Sequence, residues 1–190
     1  MQDSYLRLTG PTRGVVISID VSYLEVVLKV KGLTDSEDIY LNKFATPYRL
    51  GIWDNPIKYT SKLCTLEMQQ YTILLSVEAT ISVRVFQGQW PHGFRGVLSA
   101  STAGRKDIQI ALLDLDDDEL PVDANGLFKL SRRVVCVEHG GTLRVSLFEN
   151  GVGEEGDICF AAEKSQRRTH YMHVKKFSLW LEVTVAWSLF

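Results

Sequence analysis

The chain has 190 residues, with 21 Lys plus Arg against 23 Asp plus Glu for a formal charge of −2. Its 45% hydrophobic and 23% charged residues are ordinary globular values and exclude intrinsic disorder, which needs low hydrophobicity together with high net charge. The charge balance also excludes a protein that coats nucleic acid by bulk positive charge, and a chain of this length reads as one domain, residues 1–190.

The dominant pattern is alternation with period two, the mark of strands with one buried face. In chain order, the first short β-rich run is 15–19. A longer one follows at 23–31, where Leu24, Val26, Leu28 and Val30 oppose Glu25, Lys29 and Lys31. Residues 64–68 are next, and then 77–86, where Val77, Ala79, Ile81, Val83 and Val85 oppose Glu78, Thr80, Ser82 and Arg84. Runs at 97–101, 108–113, 133–137, 142–148 and 158–162 lead to the last segment. There Phe177, Leu179, Leu181, Val183, Val185, Trp187 and Leu189 oppose Lys176, Ser178, Glu182, Thr184 and Ser188. Turn signals at Gly10-Pro11, Gly32, Pro47, Pro56, Gly88 and 91–96 separate the runs. Gly140-Gly141 reads as a tight hairpin and Asn125-Gly126 as a second one, because primed turns need positive φ. No segment keeps a helical period. These signals predict an all-β fold, a two-layer antiparallel sandwich of about eight to ten strands with few short helices and the final strand central.

No apolar run reaches the ~20 residues of a membrane-spanning helix. Met1-Gln2-Asp3-Ser4-Tyr5 lacks the basic and apolar regions of a secretory signal. Cys64, Cys136 and Cys159 are odd in number, with none spaced as C-x-x-C, so neither a zinc site nor a redox pair is expected. A reducing interior, cytoplasmic or nuclear, is the expected compartment. Cys136, within Val134-Val135-Cys136-Val137, is expected to be a buried small hydrophobe.

Four stretches, in this order and spacing, resemble one family. They are Tyr5-Leu6-Arg7-Leu8-Thr9-Gly10-Pro11-Thr12-Arg13, Ser76-Val77-Glu78-Ala79-Thr80-Ile81, Leu130-Ser131-Arg132-Arg133-Val134-Val135 and Val183-Thr184-Val185-Ala186-Trp187-Ser188-Leu189. Together they are similar to a grass-type plant domain of unknown function. That domain also forms the C-terminal part of the jasmonate-induced ribosome-inactivating protein of cereals. The resemblance covers nearly the whole chain and implies a stress or defence setting. Its members carry residues, including a strand, upstream of the Leu-Thr-Gly-Pro motif, so this chain reads as a shortened form. Loss of that strand would expose a sheet edge and favour a dimer.

The resemblance implies a non-catalytic protein-interaction module with another protein as its partner. An RNA- or ribosome-directed binding domain accessory to translation control is the alternative. A further one is a remnant of a ribosome-inactivating protein without its N-glycosidase domain. Glu78 superficially matches the Glu-Ala element of that enzyme. The enzyme's glutamate sits on a helix, whereas Glu78 lies in an alternating strand, so no catalytic role is assigned to it. No catalytic residue and no cofactor are expected.

Three clusters are candidates for binding. Lys164, Arg167, Arg168, Lys175 and Lys176, with His170, Tyr171 and His173 interleaved, read as an exposed loop between strands. Its cations could guard sheet edges, dock an acidic partner or hold RNA phosphates beside a stacked base. His170 and His173 would meet only on a helix, so no metal site is expected there. Cys136 and His139 are likewise kept apart on a strand. Trp53 and Trp90, in loops with Tyr48 and Phe94 near them in sequence, are aromatic contact candidates alongside Tyr171, set against plugging the ends of a sandwich. Asp114, Asp116 and Asp118 begin like an EF-hand calcium loop, but Glu119 stands where that loop needs Gly and Asn125 where it needs Glu. They remain a weak calcium candidate set against a solvated acidic turn.

Overall fold

Alternation becomes strand wherever one face can be buried. A computed structural model of the chain describes residues 20–48, 56–68, 71–115, 122–150 and 152–189. Among them are twelve strands and two single-turn 3-10 segments, Asp35–Glu37 and Lys175–Phe177. The strands form four antiparallel sheets, none closed into a barrel. The expected all-β sandwich agrees with this architecture. The run at 15–19 and the Leu-Thr-Gly-Pro motif lie outside the described residues. Chain contacts group the described residues into two compact units, one through Thr72 and one from Ile73 onward.

In the first unit, β1 (Ser22–Val30) and β2 (Ile39–Tyr48) form a two-stranded sheet. β1 alternates as expected, with Leu24, Val26 and Leu28 partly buried and Glu25, Val27 and Lys29 exposed. β2 was hidden from the pattern by Pro47 and by Asn42. Pro47 lies inside the strand opposite Tyr23, not in a turn. A proline is tolerated there because β2 pairs on one side only. Asn42, 5% exposed, points inward and donates from Nδ2 to the Tyr59 carbonyl at 2.9 Å. That contact ties β2 to β3 (Ile57–Thr60), which pairs with β4 (Thr65–Met68). Phe44 of β2 stacks on Tyr59 of β3 at 3.6 Å between ring centroids.

The second unit is built from β5 (Ser76–Gln87), β6 (Gly96–Thr102), β7 (Arg105–Asp114), β8 (Val134–Glu138), β9 (Thr142–Glu149), β10 (Gly153–Ala161), β11 (Arg167–Val174) and β12 (Leu179–Ser188). One sheet runs β10-β9-β6-β7 and the other β11-β12-β5-β8. The final strand is therefore internal, as its pattern predicts. Val77, Ile81 and Val83 of β5 and Leu179, Leu181, Val183 and Val185 of β12 are almost completely buried. So are Leu98, Leu143, Val145, Leu147 and Phe160 of the other sheet, in the same core cluster. Each large aliphatic side chain removed from water contributes about 1.5–3 kcal/mol.

Two turns differ in detail from expectation. The reversal at Gly140 is closed by Gly141 N–H donating to the Glu138 carbonyl at 2.8 Å, which puts His139 and Gly140 at its centre. It joins β8 to β9, and these strands belong to different sheets, so it is a crossover rather than a hairpin. At Asn125-Gly126 the chain does double back, bringing Val122 opposite Phe128. The Asp123 carboxylate accepts the Asn125 and Leu127 N–H groups at 2.8 and 2.9 Å, an Asx-type turn.

Leu181 lies in the innermost layer of the sandwich. Leu181→Ala should lower unfolding free energy by about 2–5 kcal/mol in urea titrations; a loss below about 1 kcal/mol would show that β12 is not a core wall. Two glycines should respond for different reasons. An added Cβ at Gly96 would stand 1.9 Å from the Phe148 carbonyl oxygen, whereas Gly140 has φ +74 and open space. Gly140→Ala should cost about 1 kcal/mol of left-handed strain, and Gly96→Ala distinctly more. Equal losses would refute the close β6–β9 approach.

Candidate functional site

A strand paired on both edges lays its side chains in rungs across three strands. β11 pairs with β12 from Arg167 opposite Ala186 to Val174 opposite Leu179. β12 pairs with β5 so that Glu182 faces Arg84 and Thr184 faces Ser82. The face turned away from the core therefore carries four rungs: Arg167-Ala186-Thr80, Thr169-Thr184-Ser82, Tyr171-Glu182-Arg84 and His173-Trp180-Gln87. The register shifts between Trp180 and Leu181, so Phe86 and Gln87 together oppose Trp180. This β-bulge adds Phe86 to the same area.

The centre of this face is an ion pair. Arg84 donates from Nε to Glu182 Oε1 at 2.7 Å and from Nη2 to Oε2 at 2.9 Å, a bidentate fork. Tyr171 adds a long O–H contact to Oε2 at 3.4 Å. The hydrogen bond from Arg84 holds the Glu182 carboxyl below the usual carboxylate range, with lesser help from the Arg84 charge, Tyr171 and the Arg167 charge. The hydrogen bond to Glu182 raises the Arg84 guanidinium in turn. Around the pair stand aromatic rings. Phe86 and Tyr171 lie 4.7 Å apart at 54° and are 54% and 46% exposed. His173 stacks on Trp180 at 4.3 Å and 12°. The Thr169 and Thr184 hydroxyls share a hydrogen bond of 2.8 Å in the next rung.

The basic stretch is a strand and a 3-10 turn, not a loop. β11 shows no apolar alternation because only Met172 and Val174 are buried along it. As an edge strand it splits its cations between faces. Arg167 shares the outer face with Tyr171 and His173, while Arg168 points the other way and donates from Nε to Glu163 Oε1 at 3.0 Å. Lys176 is ion-paired with Glu149 of the opposite sheet. Lys164 and Lys175 are exposed. The five cations therefore do not form one patch. His170 and His173 lie on opposite faces, His170 stacking on Phe160 at 4.7 Å.

Of the aromatic candidates, Tyr171 is on the outer face and Trp90 is inside the sandwich. Trp90 is 8% exposed and meets Phe94 and Phe128 edge-on at 5.1 and 5.0 Å. Trp53 lies outside the described residues, as do Asp116 and Asp118 of the calcium candidate; Asp114 ends β7. Among the described residues no three His, Cys, Asp or Glu side chains are placed to hold a metal ion. Cys136 is half-buried opposite Glu78, less enclosed than expected. Glu78 is 3% exposed within β5. Arg84 and Glu182 are polar-side positions of two alternating runs, but nothing in the sequence shows that they meet or that Phe86 and Trp180 stand beside them.

Glu182 titrates lower folded than unfolded. The contribution of its pair to stability is therefore complete above the ordinary carboxylate value and lost as pH falls through the folded one. The melting-temperature gap between wild type and Glu182→Gln should hold steady near neutral pH and close below about pH 4. A gap that widens on acidification would overturn this assignment.

No curated protein and no solved structure matches the chain. A family model described as Domain of unknown function (DUF6598) matches residues 1–185, and the chain belongs to that family.

Proposed function

We propose that the chain is a non-catalytic protein-interaction module of a cereal stress- or defence-associated protein, and that the outer face of β11, β12 and β5 receives the partner. The observation that carries the reading is the exposed Phe86–Tyr171 pair beside the bidentate Arg84–Glu182 fork. Aromatic and Arg side chains concentrate the binding energy of protein interfaces. A site borne on strands holds its geometry better than one borne on loops. The cereal setting rests on the four sequence stretches that resemble the grass-type domain.

The RNA- or ribosome-directed alternative draws on the basic stretch. Affinity for a phosphate backbone comes from cations that displace counterions, and two of these five, Arg168 and Lys176, already hold carboxylates. The balance favours a protein partner.

Proximity labelling in cereal leaf cells tests the reading. The set of labelled proteins should collapse for Phe86→Ser/Tyr171→Ala and persist for Arg144→Ala, whose guanidinium binds Glu154 and Asp157 on the other sheet. Labelling indifferent to the face variant would overturn it. A gel shift of ribosomal RNA that weakens with salt and vanishes in Arg167→Ala/Arg168→Ala would put the ribosome-directed alternative in its place.

A further inference from the structure

Among the described residues, the charge of this face differs in sign from that of the chain. The whole sequence carries −2. Among the described residues on the face, Arg84 and Arg167 stand against the carboxylate of Glu182, which Arg84 already neutralises. A third cation flanks them. The Phe128 N–H donates to the Val83 carbonyl at 2.9 Å, so this segment runs alongside β5, with Leu127 opposite Arg84. Phe128 is buried, and the next residue, Lys129, is exposed.

Among the described residues, the carboxylates near this face are occupied or enclosed. Asp123 caps its own turn, Glu163 accepts from Arg168, and Glu78 is buried. The face thus presents Arg167 and Lys129 on its two edges, level with Thr80 and Ser82, and next to them along the strands the Arg84–Glu182 pair and the two exposed rings. Acidic groups approaching that end gain attraction from both edges, and an apolar side chain further along the strands meets Phe86 and Tyr171.

We infer that the partner segment is an acidic peptide with an aromatic or aliphatic residue next to its carboxylates, bound across β11, β12 and β5 with its acids toward Arg167 and Lys129 and that residue toward Phe86 and Tyr171. This rests on the docking reading above and specifies the chemistry of the partner. Such complementarity steers encounter and fixes orientation, and it weakens with salt.

The test is fluorescence anisotropy with the full chain and a labelled peptide, Asp-Glu-Asp-Phe-Glu-Leu-Asp-Glu. Comparison probes replace every acid by Lys, or Phe and Leu by Gly, and a fourth is a single-stranded RNA of similar length. The acidic apolar peptide should bind tightest and lose affinity as salt rises. Arg167→Glu/Lys129→Glu should weaken it by roughly tenfold or more, equivalent to about 1.4 kcal/mol, and Tyr171→Ala should weaken it several-fold. Both variants alter exposed side chains, and melting curves matching wild type show that the fold is kept.

The inference is overturned if the Lys peptide or the RNA binds as well as the acidic peptide. It is equally overturned if the charge-reversed variant binds the acidic peptide like wild type. Proximity labelling that still depends on Phe86 and Tyr171 would then preserve the docking face while removing its acidic partner.

Discussion

The second unit depends on the pairing of β12 between β11 and β5. An internal strand satisfies its backbone N–H and C=O groups on both edges, and its register then decides which side chains meet on two faces at once. Leu181 opposite Val85 and Val183 opposite Val83 bring apolar residues together on the inner face. The intervening residues, Glu182 and Thr184, are carried to the outer face by the same step, opposite Arg84 and Ser82. A one-residue slip would bury Glu182 and expose Val183. The core and the candidate docking face are therefore two consequences of one register.

The two faces answer to different energetic demands. Inward positions are governed by close packing, where one lost methylene is felt throughout the neighbourhood. Outward positions contribute little to folding, because an ion pair as exposed as Arg84–Glu182 is screened by solvent. The aromatic rings of Phe86 and Tyr171 keep much of their surface in water, and apolar surface held there by a rigid sheet is available for recognition. The β-bulge at Phe86 brings the two together: it breaks the rung order and sets an extra ring beside Tyr171.

Edge strands show where local pattern is a poor guide. β1, β5 and β12 are legible because each presents an unbroken apolar face. β11 is not, since Arg167, Arg168, Thr169, His170 and Tyr171 are all exposed and only Met172 and Val174 reach the core. Its strand conformation comes from the ladder offered by β12. β2 is hidden for a related reason: Asn42 takes an inward position that pattern reading reserves for an apolar residue, and satisfies itself on the Tyr59 carbonyl. The turn at Gly140 was legible as a reversal, yet which sheet each arm joins depends on partners far along the chain.

Sequence by itself determined the fold class, the internal place of the last strand and the inward residues of β5 and β12, because period-two alternation is local and survives without knowledge of partners. Motifs spread along the chain also pointed to a domain of unknown function, and a family model of that description spans residues 1–185. Only the tertiary structure decided that Arg84 and Glu182, 98 positions apart, form one fork, that Phe86 leans on Tyr171 and that the basic stretch is divided between two faces. The physical reason is that alternation assigns each residue to a side of its own strand. The neighbours on that side are chosen by strand order and register, which arise from long-range backbone pairing and leave no mark on any single segment.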